Sequence, residues 1–158
     1  VRLITKRGMD WTKRFPWIAE VARKIRQTRF VIDGEAVLLG VDGISDFDGL
    51  HSGKHNAEVQ LYAFDMLAGD GDDMRKLPLS MRKAHLDRLL RGRPEGIFVA
   101  PFEQGEVGPQ LFEAACGLGL EGLVSKHRER RYTAGRCTHW IKVKNRSHPA
   151  YKRVQDHF

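Results

Sequence analysis

The sequence predicts an α+β fold with largely antiparallel sheets and flanking helices. Short apolar runs of strand length are mixed with helical patterns, without the steady βαβ alternation of a parallel sheet. The chain has 158 residues, 41% hydrophobic and 30% charged, which suits one domain able to bury a respectable core. No internal repeat or low-complexity run divides it.

The elements follow in order. Residues 1–5 read as a strand end, and Gly8-Met9-Asp10 as a turn. Within residues 16–27, Ile18, Val21, Ala22 and Ile25 stand at i, i+3, i+4 and i+7, the spacing of an amphipathic helix, and Pro16 suits its first turn. Residues 29–33 and 35–39 are apolar strands, with Gly34 as a bend or bulge between them. A turn at Val41-Asp42-Gly43 leads into polar residues 46–57, read as a loop or short helix, and then a strand at 59–66. Residues 68–76 form an acidic, Gly-rich loop. Ser80 is the expected cap of a helix reaching Leu90, with Leu86, Leu89 and Leu90 on one side. A short strand at 97–100 precedes a helix at 109–118 that stops at Gly117 or Gly119. The last strands are 123–126 and 139–144, joined by a basic loop through Tyr132, Thr133, Ala134, Gly135 and Arg136.

The net charge of +7 and a pI near 9.7 favour a polyanionic partner. The excess is clustered at Lys6, Arg7, Lys13 and Arg14, at Arg128, Arg130, Arg131 and Arg136, and at Lys152 and Arg153. A solvated basic surface explains such clusters equally well, and Asp70, Asp72 and Asp73 show that the surface is not uniformly basic. No run of about 18 apolar residues is present, so no membrane span is expected. Cys116 and Cys137 do not form a Cys-x-x-Cys pair, and free thiols in a reducing, cytoplasmic setting are the simplest reading. His51 and His55 stand at i and i+4, but without a cysteine partner they read as loop histidines rather than metal ligands.

The chemistry-bearing strings lie in the last strands. Glu121-Gly122-Leu123-Val124-Ser125-Lys126 puts a carboxylate and an ammonium at the two ends of a short apolar strand. Trp140-Ile141-Lys142-Val143-Lys144 puts Lys142 and Lys144 at i and i+2, on one strand face. Trp140, Ile141 and Val143 suggest that this strand is substantially buried, and two ammonium groups there call for an anion such as a nucleotide phosphate. The bland reading is a wet edge strand.

These strings resemble motifs of the ATP-dependent DNA ligases, in the covalent nucleotidyltransferase group that includes RNA ligases and mRNA capping enzymes. Phe30-Val31-Ile32-Asp33-Gly34-Glu35-Ala36-Val37 resembles the family's Asp-Gly-Glu motif, and Leu61-Tyr62-Ala63-Phe64-Asp65-Met66-Leu67 its adenine-stacking strand. Thr5-Lys6-Arg7-Gly8 with Asp10-Trp11-Thr12 resembles the stretch after the family's nucleophile. Each string alone is weak; five in order over residues 1–146 are strong, and closest to the short bacterial ligase domains of end-joining repair.

The resemblance implies a nucleotidyltransferase, ATP-grasp-like adenylation domain, with two sheets beneath a nucleotide cleft. It makes Lys142 and Lys144 the catalytic pair at the α-phosphate. Phe64 becomes the adenine-stacking ring, and Glu35 and Lys126 nucleotide-binding groups. Glu121 and Glu35 become the Mg²⁺ ligands, and Arg7 the contact to a 5′-phosphate. ATP and nicked duplex DNA are the implied substrates. On residue chemistry alone, Glu121 is equally a strand-end carboxylate, Glu35 a solvent-facing strand residue, Phe64 a core aromatic and Arg7 a surface arginine. The family's nucleophilic Lys-x-Asp-Gly is absent from the 158 residues. The expectation is therefore a domain truncated before its nucleophile, without the family's oligonucleotide-binding barrel, and inactive as given. The alternatives are a non-catalytic nucleic-acid-binding remnant, one part of a split ligase completed by a separate polypeptide, or an RNA ligase or capping relative.

Overall fold

A computed structural model describes residues 1–92, 95–105, 108–135, 137–148 and 151. Arg136, Lys152 and Arg153 of the expected basic clusters lie outside the described residues.

The chain enters through a tight turn closed by an isolated bridge between Ile4 and Asp10. Helix α1 (Pro16–Arg23) follows, with proline in its first turn. It is shorter than the periodicity suggested, yet Ile25 beyond its end is still buried, its N–H bonded to the Ala22 carbonyl in a tightened last turn. Strand β1 (Phe30–Val37) pairs antiparallel with β2 (Gln60–Gly69), and helix α2 (Phe47–Ser52) and a 3₁₀ turn (Asn56–Glu58) lie between them. The acidic loop is a hairpin, in which the two-residue strand β3 (Asp72–Asp73) pairs back onto β2. Helix α3 (Leu79–Leu90) then crosses over to β4 (Ile97–Val99), which runs parallel to β2. Helix α4 (Pro109–Gly117) leads to a separate antiparallel ribbon of β5 (Gly122–Lys126) and β6 (Trp140–Lys144). The architecture is α+β with one parallel pair, as the irregular alternation predicted. No helix among the described residues is long and apolar enough to cross a membrane.

The β1–β2 register carries two irregularities. Asp33 faces Asp65 while Gly34 faces Ala63, so Phe64 is an extra residue on β2; Leu67 is a second, between Met66 and Ala68. The bulges thus lie on β2, opposite the glycine expected to bend the chain. Skipping the two extra residues restores one apolar face. Val59 just before β2, Leu61, Ala63 and Met66 on β2, and Phe30, Ile32 and Ala36 on β1 all join the core with Phe15, Ile18, Val21, Leu86 and Ile97. Gly34 sits on that face because the strands approach closely there: an added Cβ would meet the Tyr62 carbonyl at 2.8 Å and the Ala63 Cα at 3.0 Å. Asp33, Glu35, Tyr62 and Asp65 are left on the opposite face.

One polar cluster is fully buried. Asp65 and Arg82 are 0% and 1% exposed in their side chains, and form a bidentate pair with Nε–Oδ1 at 2.7 Å and Nη2–Oδ2 at 2.9 Å. Arg82 Nη1 donates to the carbonyls of Leu77 at 2.7 Å and Arg130 at 3.2 Å. Ser80 is not the helix cap. The N-cap of α3 is Pro78, with no side-chain bond, and the N–H groups of Leu79 and Ser80 are taken by the carbonyls of Arg130 and Arg128. Segment 128–130 caps the helix from a distance, satisfying donors that a helix start otherwise leaves unpaired.

Removing one partner of a buried ion pair strands the other charge, at a cost of about 3–5 kcal/mol. Asp65→Ala and Arg82→Ala should each lower the unfolding free energy by about that amount in urea titrations. Breaking the solvent-exposed pair between Glu20 on α1 and Lys24 just after it should cost far less in the same titrations.

Candidate nucleotide site

The site is assembled where the second face of the main sheet meets the β5–β6 ribbon. In the ribbon register Lys126 pairs with Trp140, Val124 with Lys142 and Gly122 with Lys144. Paired residues share a face, so Lys126, Trp140, Lys142 and Lys144 point the same way, and the lysines of β6 are about 7 Å apart along the strand. Gly122 is required by this pairing, because a Cβ there would collide with the Val143 carbonyl and lie 2.9 Å from the Lys144 Cα. Asn145 locks the end of the ribbon. It is 6% exposed, its backbone N–H donates to the Glu121 carbonyl at 2.7 Å, and its side-chain amide donates to the Leu120 carbonyl at 3.1 Å.

Lys126 is the meeting point of the two sheets. Its ammonium lies 4.2 Å from the ring centroids of both Phe64 and Trp140. The bulge accounts for the first contact: it releases Phe64 from the sheet's alternation, and Lys83 holds its carbonyl at 3.2 Å. Tyr132 completes the wall, its ring edge-on to Trp140 at 5.8 Å and its hydroxyl donating to Asp33 Oδ2 at 3.5 Å.

Burial governs the charges. Lys126 is pushed down to about 8, first by desolvation and then by the neighbouring Lys83 ammonium, with Asp65 and Asp33 opposing. Asp33 is raised, first by desolvation and then by the facing Asp65 carboxylate. Lys83 is lowered by desolvation and Tyr132 raised by it, the latter with help from Asp33. At neutral pH Lys126 is still largely charged, although its environment favours the neutral amine.

The other candidates fall in different places. Glu121, just before β5, accepts from Lys142 Nζ at 3.0 Å. Lys144 is half-buried at the Gly122 end of the ribbon. Glu35 is exposed and pairs in register with Tyr62. Arg7 is exposed in the N-terminal turn, and no described contact brings it to the other candidates. The expected burial of β6 is overturned: Ile141 is 59% and Val143 44% exposed, and Val124 on the other face of the two-stranded ribbon is 48% exposed. His51 bonds to the Phe47 carbonyl and His55 to Glu58, and no group of three His, Cys, Asp or Glu residues that could hold a metal occurs among the described residues. Sequence reading missed Arg82, Asn145 and the ring of Trp140, whose roles depend on contacts made across the fold. A cleft of about 540 Å³ between Phe30, Val31, Leu67 and Arg75 is lined by none of the candidates.

Comparison with known proteins shows the family of the chain. The sequence profile described as "ATP dependent DNA ligase domain" matches residues 1–144. The multifunctional non-homologous end joining protein LigD of Pseudomonas aeruginosa is 36% identical over 147 residues, covering 91% of this chain and 18% of that protein. A probable DNA ligase of Streptomyces coelicolor is 32% identical, covering 91% of this chain and 31% of its own length. Among solved structures, a mycobacterial DNA ligase D complexed with ATP and MES superposes with a TM-score of 0.80 at 30% identity, over 90% of this chain and 47% of that one. The chain spans about a fifth of the LigD protein it matches and about half of that solved ligase chain. It belongs to the ATP-dependent DNA ligase family, as an adenylation-domain segment of the bacterial end-joining type.

Proposed function

We propose that this segment binds ATP between the main sheet and the β5–β6 ribbon, and serves adenylyl transfer in the sealing of nicked duplex DNA. The observation that carries the reading is Lys126 held at 4.2 Å from both Phe64 and Trp140, on the ribbon face that also bears Lys142 and Lys144. Residues from three separate strings thereby form one surface with aromatic faces at one end and ammonium groups along it. Such a surface suits a purine joined to phosphates.

In this reading Phe64 offers its face to the adenine, and Lys126 leaves the slot between the rings to meet a phosphate or ribose oxygen. Lys142 and Lys144 flank the α-phosphate and offset the charge that builds there as a lysine amine forms the P–N bond and pyrophosphate leaves. The AMP then passes to the 5′-phosphate at a nick, where Arg7 binds, and the 3′-hydroxyl displaces it. Glu35 and Glu121 supply hard oxygen donors that fit Mg²⁺, which needs only one or two carboxylates when phosphates complete its shell. The bound ion would neutralise phosphate charge. The Glu121–Lys142 pair does not obstruct this, since both side chains are substantially exposed and such a pair is worth only about 0–1 kcal/mol. The attacking amine is taken to come from a Lys-x-Asp-Gly outside the 158 residues. A second reading, a nucleotide or nucleic-acid binder without catalysis, draws on the absence of that string here.

The chain alone should form no covalent AMP adduct with labelled ATP and Mg²⁺ on a denaturing gel; a labelled lysine within it would contradict the assignment. When a segment bearing Lys-x-Asp-Gly is supplied, adenylation should appear. Glu121→Ala and Lys142→Ala should then each slow it about 10²–10³-fold, the usual loss for one well-placed transition-state group. His51→Ala should leave the rate unchanged.

Lys126 gives a pH signature. Because its folded value of about 8 lies below the ordinary lysine value of 10.5, the folded chain holds fewer protons than the unfolded chain between those values. Stability from this group therefore rises with pH across that window, while the cation available to ATP is lost. ATP affinity measured by calorimetry should fall as pH passes the group's titration, and Lys126→Met should remove that inflection. An unchanged profile in the variant would exclude Lys126 from the site.

A further inference from the structure

The loop between the two ribbon strands carries a feature that the nucleotide reading does not use. Glu129, Arg130, Arg131, Thr133 and His139 line an open recess of about 260 Å³. Its backbone is pinned: the carbonyls of Arg128 and Arg130 accept from the start of α3, the Arg130 carbonyl accepts also from Arg82, and the Tyr132 N–H donates to the Arg75 carbonyl. The side chains are nonetheless open to solvent. Among the described residues, neither the Arg130 nor the Arg131 guanidinium has a hydrogen-bond or ion-pair partner. The single carboxylate of the recess, Glu129, is held by Arg128 at 2.8 Å.

The loop also separates its two sides. Tyr132 is half-buried and turned toward Trp140 and Asp33, while Arg131 and Thr133 on either side of it are exposed. None of the residues that line the recess is among those that form the slot beside Phe64. Two guanidinium forks, a hydroxyl and an imidazole form a donor set matched to phosphodiester oxygens. Its rigid mounting lowers the entropy lost on binding.

We propose that this recess binds backbone phosphates of duplex DNA, seating the strand beside the adenylation site without reading its sequence. The assignment rests on the ligase reading and deepens it. A recess lined by other residues than the base slot, with its side chains open to solvent, suits a ligand running over the surface better than the phosphate tail of the nucleotide in the cleft. Arg130 and Arg131 carry the contact, and Thr133 and His139 assist.

Titrating the full chain into a labelled nicked duplex, by fluorescence anisotropy at several salt concentrations, tests this. Each phosphate contact contributes about 0.9 to the slope of log affinity against log salt. The double variant Arg130→Gln with Arg131→Gln should lower that slope by about two, and Arg131→Gln alone by about one, with ATP affinity unchanged. The charge-matched control Arg23→Gln with Arg26→Gln, on and just after α1, should change the slope by less than half as much. Equal losses in the two double variants would overturn the proposal in favour of diffuse attraction. A loss of ATP affinity with DNA binding intact would overturn it in favour of the nucleotide's own phosphates. A wild-type chain that binds ATP but no duplex would overturn it while leaving the nucleotide site standing. A chain that binds neither would overturn the ligase reading itself.

Discussion

Arg82 grips Asp65 through two parallel N–H···O bonds in the interior, and with its remaining amine holds the carbonyls of Leu77 and Arg130. Seventeen positions separate the first pair and forty-eight the last. The guanidinium thus ties β2, the start of α3 and the loop leading to β6 into one unit. Its surroundings follow from that tie. Phe64 is the bulged residue next to Asp65, and Lys83, next to Arg82, takes the Phe64 carbonyl. Arg130 and Arg128 cap α3 because Arg82 draws their segment to the helix. A hydrophobic substitute could fill the same volume, but it would release the loop that carries Tyr132 and the ring on which the nucleotide is expected to lie.

The ionic contacts divide into two classes by burial. The Asp65–Arg82 pair is sealed from water, and breaking it strands a charge. The Glu121–Lys142 pair is partly exposed and cheap to open, as the proposed entry of phosphate and metal there would require. Lys126 lies between these cases. Its two ring contacts, each worth about 0.5–2 kcal/mol, hold the ammonium where desolvation works against it. An anionic ligand would relieve that conflict, so the slot between Phe64 and Trp140 is occupied by a group that gains from leaving when phosphate arrives.

What could be read in the sequence was what depends on local period. The alternation of Lys142 and Lys144, the apolar stripe of α1 and the strand flanking Phe64 all follow from spacing, and the structure places them as expected. Contacts made across the fold were not legible. Arg82 lies mid-helix among polar neighbours and looks like a surface residue until Asp65 meets it. Ser80 has the chemistry of a cap, yet carbonyls from a distant loop do its work. Glycine marks irregular strands and so points to a bend or bulge at Gly34, whereas the register puts the extra residue at Phe64 and explains Gly34 by crowding. The exposure of Ile141 and Val143 went unforeseen because an apolar strand string does not say how many of its faces are covered.

A crystal structure of the chain with a non-hydrolysable ATP analogue tests the central claim most directly. The account predicts the purine stacked on Phe64, Lys126 displaced from between Phe64 and Trp140, and the α-phosphate within hydrogen-bond distance of Lys142 and Lys144. Nucleotide bound instead in the cleft between Phe30, Val31 and Arg75, with Lys126 still held against both rings, would contradict it.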